Sequence, residues 1–135
     1  MLEALLAGVK AHFAASGALT TAVGGRLHLG LGKFDLTAPY IILTVVGEET
    51  GGTFAGNTVY VVRLQFTVHS KAQSPLECVQ IRDAVWTWLA APSNNAFSVT
   101  GYQDAVAIPA GGSGPTRYDE YWQATRDYRV TLAET

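Results

Sequence analysis

The sequence predicts a single α+β domain spanning residues 1–135, with an antiparallel or mixed sheet and two main helices packed on one face. Three observations lead there. Apolar residues recur at helical spacing in two separated segments, 2–15 and 75–91. Residues 58–70 and 118–132 alternate apolar and polar side chains with the period of a strand. Gly-rich stretches at 50–57 and 109–116 punctuate the strand-like segments as loops would.

In chain order, Leu2, Leu5, Leu6, Val9 and Phe13 share one face of a first helix, which Ser16-Gly17 ends. Residues 18–23 read as one further short turn, and Gly24-Gly25 breaks it. Residues 26–31 alternate as a short edge strand. Residues 39–49 (PYIILTVVGEE) are β-branched and apolar on both faces, the pattern of a central strand. Residues 50–57 then form a flexible loop. In the strand 58–70, Tyr60, Val62, Leu64, Phe66 and Val68 point one way and Arg63, Gln65, Thr67 and His69 the other. Ser74-Pro75-Leu76-Glu77 has the form of a capping box, with Pro at the first helical position. Cys78, Ile81, Val85, Trp88 and Leu89 line the second helix, which closes near Ala91 before Pro92. A strand over 97–108, bent at Gly101, leads to a second flexible loop at 109–116. The last strand, 118–132, is long enough to extend beyond the core towards a neighbour.

Composition bounds the function. Nine Lys and Arg face eleven Asp and Glu for a net charge of −2, and the basic residues are scattered singly. A nucleic-acid reader needs a basic stripe to neutralise phosphates, which this pattern lacks. Charged residues are only 15% of the chain against 48% hydrophobic, so much of the surface is neutral or apolar, a composition suited to contact with other chains. A lone Cys78 forms no internal disulfide, and no apolar run reaches the roughly 18 residues of a membrane span. The charge order of the first residues is the reverse of a signal peptide's, which predicts a chain that is cytosolic when made.

Residues with catalytic potential do not converge. His12, His28 and His69 have no ligand spacing and read as solvated or interface histidines, and Cys78 reads as a small core hydrophobe. The Gly-rich segments lack the Lys-Ser/Thr of a phosphate loop. Glu48-Glu49 and Asp119-Glu120 are adjacent pairs whose side chains diverge on a strand and so do not share a metal. No catalytic residue, cofactor or metal site is expected. The aromatics say more. Trp88, Trp122 and Tyr128 suit the core, whereas Trp86 and Tyr121 are harder to bury in one small domain and read as interface residues. Glu48, Glu49 and Phe54, at and inside the first Gly-rich loop, complete the interface candidates.

The segment from Leu19 to Leu89 resembles the tail-completion (tail-terminator) proteins of long-tailed phages and gene-transfer particles. The resemblance rests on LTTAVGGRLHLG, APYIILTVVGEE and VVRLQFTVHSKAQSPLECVQIRDAVWTWL in that order, after a Leu/Ala helix and before a final YRVTL. It implies a non-enzymatic virion subunit made in the host bacterial cytoplasm. Such subunits form a closed ring, usually hexameric, that caps the head-proximal end of the tail tube. The implied partners are further copies of the chain, the tail-tube protein and the head-tail connector or stopper, with DNA passing through the lumen without specific binding and no membrane. The alternatives are another neck component, such as a head-completion or connector protein, or a small-molecule-binding α+β module.

Overall fold

The computed structural model describes residues 1–30, 37–54, 56–90 and 95–135, with side chains for all of these except Thr53, Phe54 and Ala90. Among the described residues, three helices and six strands follow in the order α1 (Leu2–Ala14), α2 (Ala18–Val23), β1 (Leu27–Leu29), β2 (Tyr40–Phe54), β3 (Asn57–Ser70), α3 (Leu76–Ala90), β4 (Ala96–Phe97), β5 (Ala105–Tyr118) and β6 (Tyr121–Ala133). The strands form one mixed sheet in the order β1-β2-β3-β6-β5-β4. Every neighbouring pair is antiparallel except β1 with β2.

The helical period places Leu5, Val9 and Phe13 of α1 fully in the core. Where α1 ends, Thr20 Oγ1 donates to the Phe13 carbonyl at 2.7 Å. Ser16 Oγ accepts from the Thr20 N–H at 3.2 Å, just ahead of Gly17, the N-cap of α2. Gly24 ends α2 in the left-handed conformation at φ 60°, where an L side chain is strained. Arg26 Nε then donates to the Pro39 carbonyl at 3.0 Å, tying the entry of β1 to that of β2.

One face of the sheet is consumed by the core. Val62, Leu64, Phe66 and Val68 of β3 meet Ala124, Tyr128 and Val130 of β6 in one buried cluster, which Cys78, Ile81, Val85, Trp88 and Leu89 of α3 join. Phe66 sits between the Trp88 and Tyr128 rings, edge-on to both at 5.6 and 5.7 Å. The Tyr128 hydroxyl donates to the Val85 carbonyl at 3.3 Å, so a fully buried phenol keeps a partner.

Several expectations are corrected. Residues 50–54 are not a loop: they extend β2 and pair with 57–60, lengthening the hairpin, with register shifts at Val45/Gly47 and Thr50/Gly52 absorbing the extra residues. Residues 109–116 are likewise strand, paired with β6 through two further shifts. The segment 97–108 divides into β4 and the start of β5 around Gly101 at φ 85°. β2 is buried on both faces only over Tyr40–Leu43; β3 and β6 are the central strands. β6 is paired along both sides, so its length is used inside the sheet. The capping box forms by half. Ser74 Oγ accepts from the Leu76 N–H at 3.3 Å, but Glu77 turns away to accept from Ser70 Oγ at 2.6 Å. The segment 18–23, read as one further short turn beside the two main helices, is the six-residue helix α2, and the expected stop of α3 at 91–92 lies outside the described residues.

Candidate assembly surface

The sheet face opposite the core is ordered by register into rows that cross the strands. Glu49, Val61, Thr131 and Val106 form one row; Gly47, Arg63, Arg129 and Ile108 form the next. Then come Thr44, Gln65, Asp127 and Gly111, and after them Ile42, Thr67, Thr125 and Ser113. Arg63 therefore lies directly across from Arg129. Like charges so placed repel, and neither guanidinium has an ion-pair partner among the described residues. Both line a cleft of about 390 Å³ whose other wall holds Glu48 and Glu49.

At one end of this face the rings of Tyr40 and His69 stack at 4.7 Å, with Tyr121 edge-on to both and His28 edge-on to Tyr40. Lys71 lies 5.0 Å over the Tyr121 ring and pairs with Glu120 at 3.4 Å. Burial pushes His69 below the ordinary histidine range, with the nearby Thr67 backbone partly opposing it. Burial, with the neighbouring Tyr121, holds the Tyr40 phenol above its usual value, partly offset by Lys71. His28 Nε2 and His69 Nδ1 are buried without a hydrogen-bond partner. These two half-buried histidines are packed members of an aromatic cluster, so of the solvated or interface roles expected the fully solvated one does not hold, because register sets both beside Tyr40. His12 also packs, between Trp88 and Phe97 at 5.4 Å from each.

The interface candidates do not converge on one spot. Glu48 and Glu49 are exposed on β2 at one flank of the sheet. Tyr121 is half-buried in the aromatic cluster. Trp86 is 41% exposed on α3, and the Arg126 guanidinium lies 4.6 Å over its ring. Arg126 also approaches Asp83 at 3.8 Å, so Trp86 roofs a small charged group between α3 and β6. The Phe54 side chain lies outside the described residues. Sequence reasoning missed the Arg63–Arg129 pair, and it missed Arg82, whose Nη1 donates to the Gly114 carbonyl at 2.9 Å and fastens α3 to β5.

Among the described residues no group of three His, Cys, Asp or Glu could hold a metal ion, and no helix is long and apolar enough to cross a membrane. Burial pushes the Cys78 thiol up to about 11, so the neutral form persists. A cleft of about 400 Å³ between the helices is lined by His12, Ser16, Leu19, Thr87 and Trp88.

A family model described as "Tail completion protein gp17" matches residues 7–104, close to three quarters of the chain. The chain belongs to the tail completion protein gp17 family. It is thus a structural protein of a virion tail. No curated protein matches it. Among solved structures, a chain of the "Virion of native gene transfer agent (GTA) particle" superposes with a TM-score of 0.63, covering 94% of this chain and 92% of that one at 13% identity. At that identity the likeness speaks for the fold. The tail completion match ends at Asp104, so β5 and β6 lie beyond it, whereas the structural likeness spans nearly the whole chain.

Proposed function

We propose that this tail completion protein assembles into a closed ring, usually of six copies in such families, at the head-proximal end of the tail tube. The ring ends growth of the tube and gives the head connector a surface to join. The observation that carries this is the unlikeness of the sheet's exposed surfaces. A closed ring needs two different, complementary surfaces on each subunit. Here one flank, formed by β1 and β2, exposes Leu29, Val46, Glu48 and Glu49, and the other, formed by β5, exposes Val106 and Ile108 beside Arg129. The helices all cover the core face in this proposal and so stand outside, where the circumference is larger. The opposite face lines the lumen. Its two arginines and two carboxylates, Arg63, Arg129, Glu49 and Asp127, leave it near neutral, which lets DNA pass without specific binding. Trp86, Tyr121 and Phe54 are proposed contacts with the tail-tube protein and the connector.

Light scattering with negative-stain imaging across a concentration series, with and without purified tail tubes, tests the proposal. Rings at high concentration or on tube ends are expected. A monomer at every concentration that also ignores tube ends refutes it.

A further inference from the structure

We infer that successive copies join head to tail through unlike flanks of the sheet, the Val46–Glu49 stretch of β2 in one copy meeting the Val106, Ile108 and Arg129 surface of the next. The inference rests on the ring proposed above and names its contact. Four observations support it.

The first is strand direction. β2 and β6 run one way, β3 and β5 the other. Rotation about an axis parallel to the strands keeps these directions and keeps the same face inward. It therefore brings the β2 flank of one copy, antiparallel in direction, to the margin of the next that β5 forms with β4.

The second is apolar exposure. Leu29 and Val46 are 43% and 51% exposed on the β2 flank, and Val106 and Ile108 are 38% and 46% exposed on the β5 flank. Each flank thus offers a small apolar patch for the other to cover.

The third is charge. Glu48 and Glu49 have no ion-pair partner among the described residues, and neither do Arg63 and Arg129, although all four line one cleft. Arg129 lies one strand in from β5. Ile108, beside Arg129 in the same cross-strand row, lies past the Ala105–Val106 stretch that β4 covers, so a neighbour's carboxylate approaches the exposed Arg129 across the open face. A carboxylate arriving there relieves the repulsion between Arg129 and Arg63.

The fourth is the state of the β5 edge. The Ala107 N–H already donates to the Asn95 carbonyl at 2.7 Å, Pro109 and Pro115 have no N–H, and Arg82 occupies the Ser113 and Gly114 carbonyls. An edge so occupied resists indiscriminate strand addition. It leaves side chains to select the partner.

The variants Val46→Cys and Ile108→Cys, mixed under mild oxidation, provide the first arm of the test. Cys78 is buried and stays silent. A head-to-tail contact gives disulfide dimers in the mixture and at most traces with either variant alone. Glu49→Arg and Arg129→Glu provide the second arm. Each alone lowers the oligomer fraction by about tenfold, and an equimolar mixture restores it, because every contact then pairs opposite charges. Pairing inside one copy would give no rescue on mixing. All four positions are exposed or on the sheet's open face, so melts close to that of the unsubstituted chain are expected. Rings that form without mixed cross-links or charge rescue overturn the contact and leave the ring standing. Absence of any oligomer, with or without tubes, removes both.

Discussion

Gly112→Ala tests whether residues 109–116 are strand or loop. A Cβ at Gly112 would overlap the Thr125 carbonyl oxygen and lie 3.3 Å from its carbon. Both are backbone atoms of β6, which β3 holds on its other side, so neither can swing away as a side chain could. Relief requires β5 to move off β6 by most of an ångström. Overpacking of this kind costs about 1–3 kcal/mol, and an obstacle made of backbone belongs at the upper end. An unfolding entropy of about 2.1 cal/mol/K per residue then implies a fall in Tm of about 10 °C for a cost of about 3 kcal/mol. Gly47→Ala is the internal control. Gly47 also sits in a strand, but its φ is not positive and an added Cβ meets nothing within 4 Å, so a change within about 0.5 kcal/mol is expected. Thermal melts and urea titrations of the two variants beside the unsubstituted chain decide the matter. If Gly112→Ala melts with Gly47→Ala, the paired β5 described above is wrong in solution and the segment behaves as a loop.

Three further outcomes are expected. Val85→Ala, at a fully buried position under the Tyr128 hydroxyl, should cost about 1–3 kcal/mol, whereas Trp86→Ala, which removes an exposed ring stacked on Arg126, should cost about 1 kcal/mol in the monomer. Urea titrations separate them, and equal losses would place Trp86 in the core. Ser74→Ala removes the side-chain acceptor for the Leu76 N–H and should cost about 0.5–1 kcal/mol by the same measurement; a neutral result would mean that water caps α3 equally well. His69 is held below its ordinary value by burial, so the unfolded chain binds the proton first as pH falls. Stability should therefore be flat above about pH 6.5 and decline as pH drops from there towards the lowered folded value. Replacing His69 with Gln should flatten that decline, and an unchanged pH profile would show that the Tyr40 stack does not resist the proton.

How much of this molecule was legible before folding depends on the range of the interaction involved. Periods of 3.6 and 2 are local properties of the chain, so α1, α3, β3 and β6 were readable from apolar spacing, and so was the burial of Phe66, Val85 and Tyr128. Short turn chemistry was readable where one side chain meets the nearest backbone, as at Ser74, but Glu77 found a better partner in Ser70 at the end of β3. The resemblance carried by ordered segments, rather than any residue's chemistry, led to the tail completion family. Tertiary structure alone decided the rest, because pairing register joins residues that are distant in sequence. Glycines at 50–52 and 111–114 look like loop until β3 and β6 supply partners to the segments that contain them, and bulges absorb the extra residues. Arg63 and Arg129 sit 66 positions apart, each unremarkable on a polar strand face, and only the β3–β6 register sets them side by side. Strand order likewise put β2 and β5 near opposite margins of the sheet, which turned Glu48, Glu49 and Ile108 from scattered exposed residues into two unlike flanks.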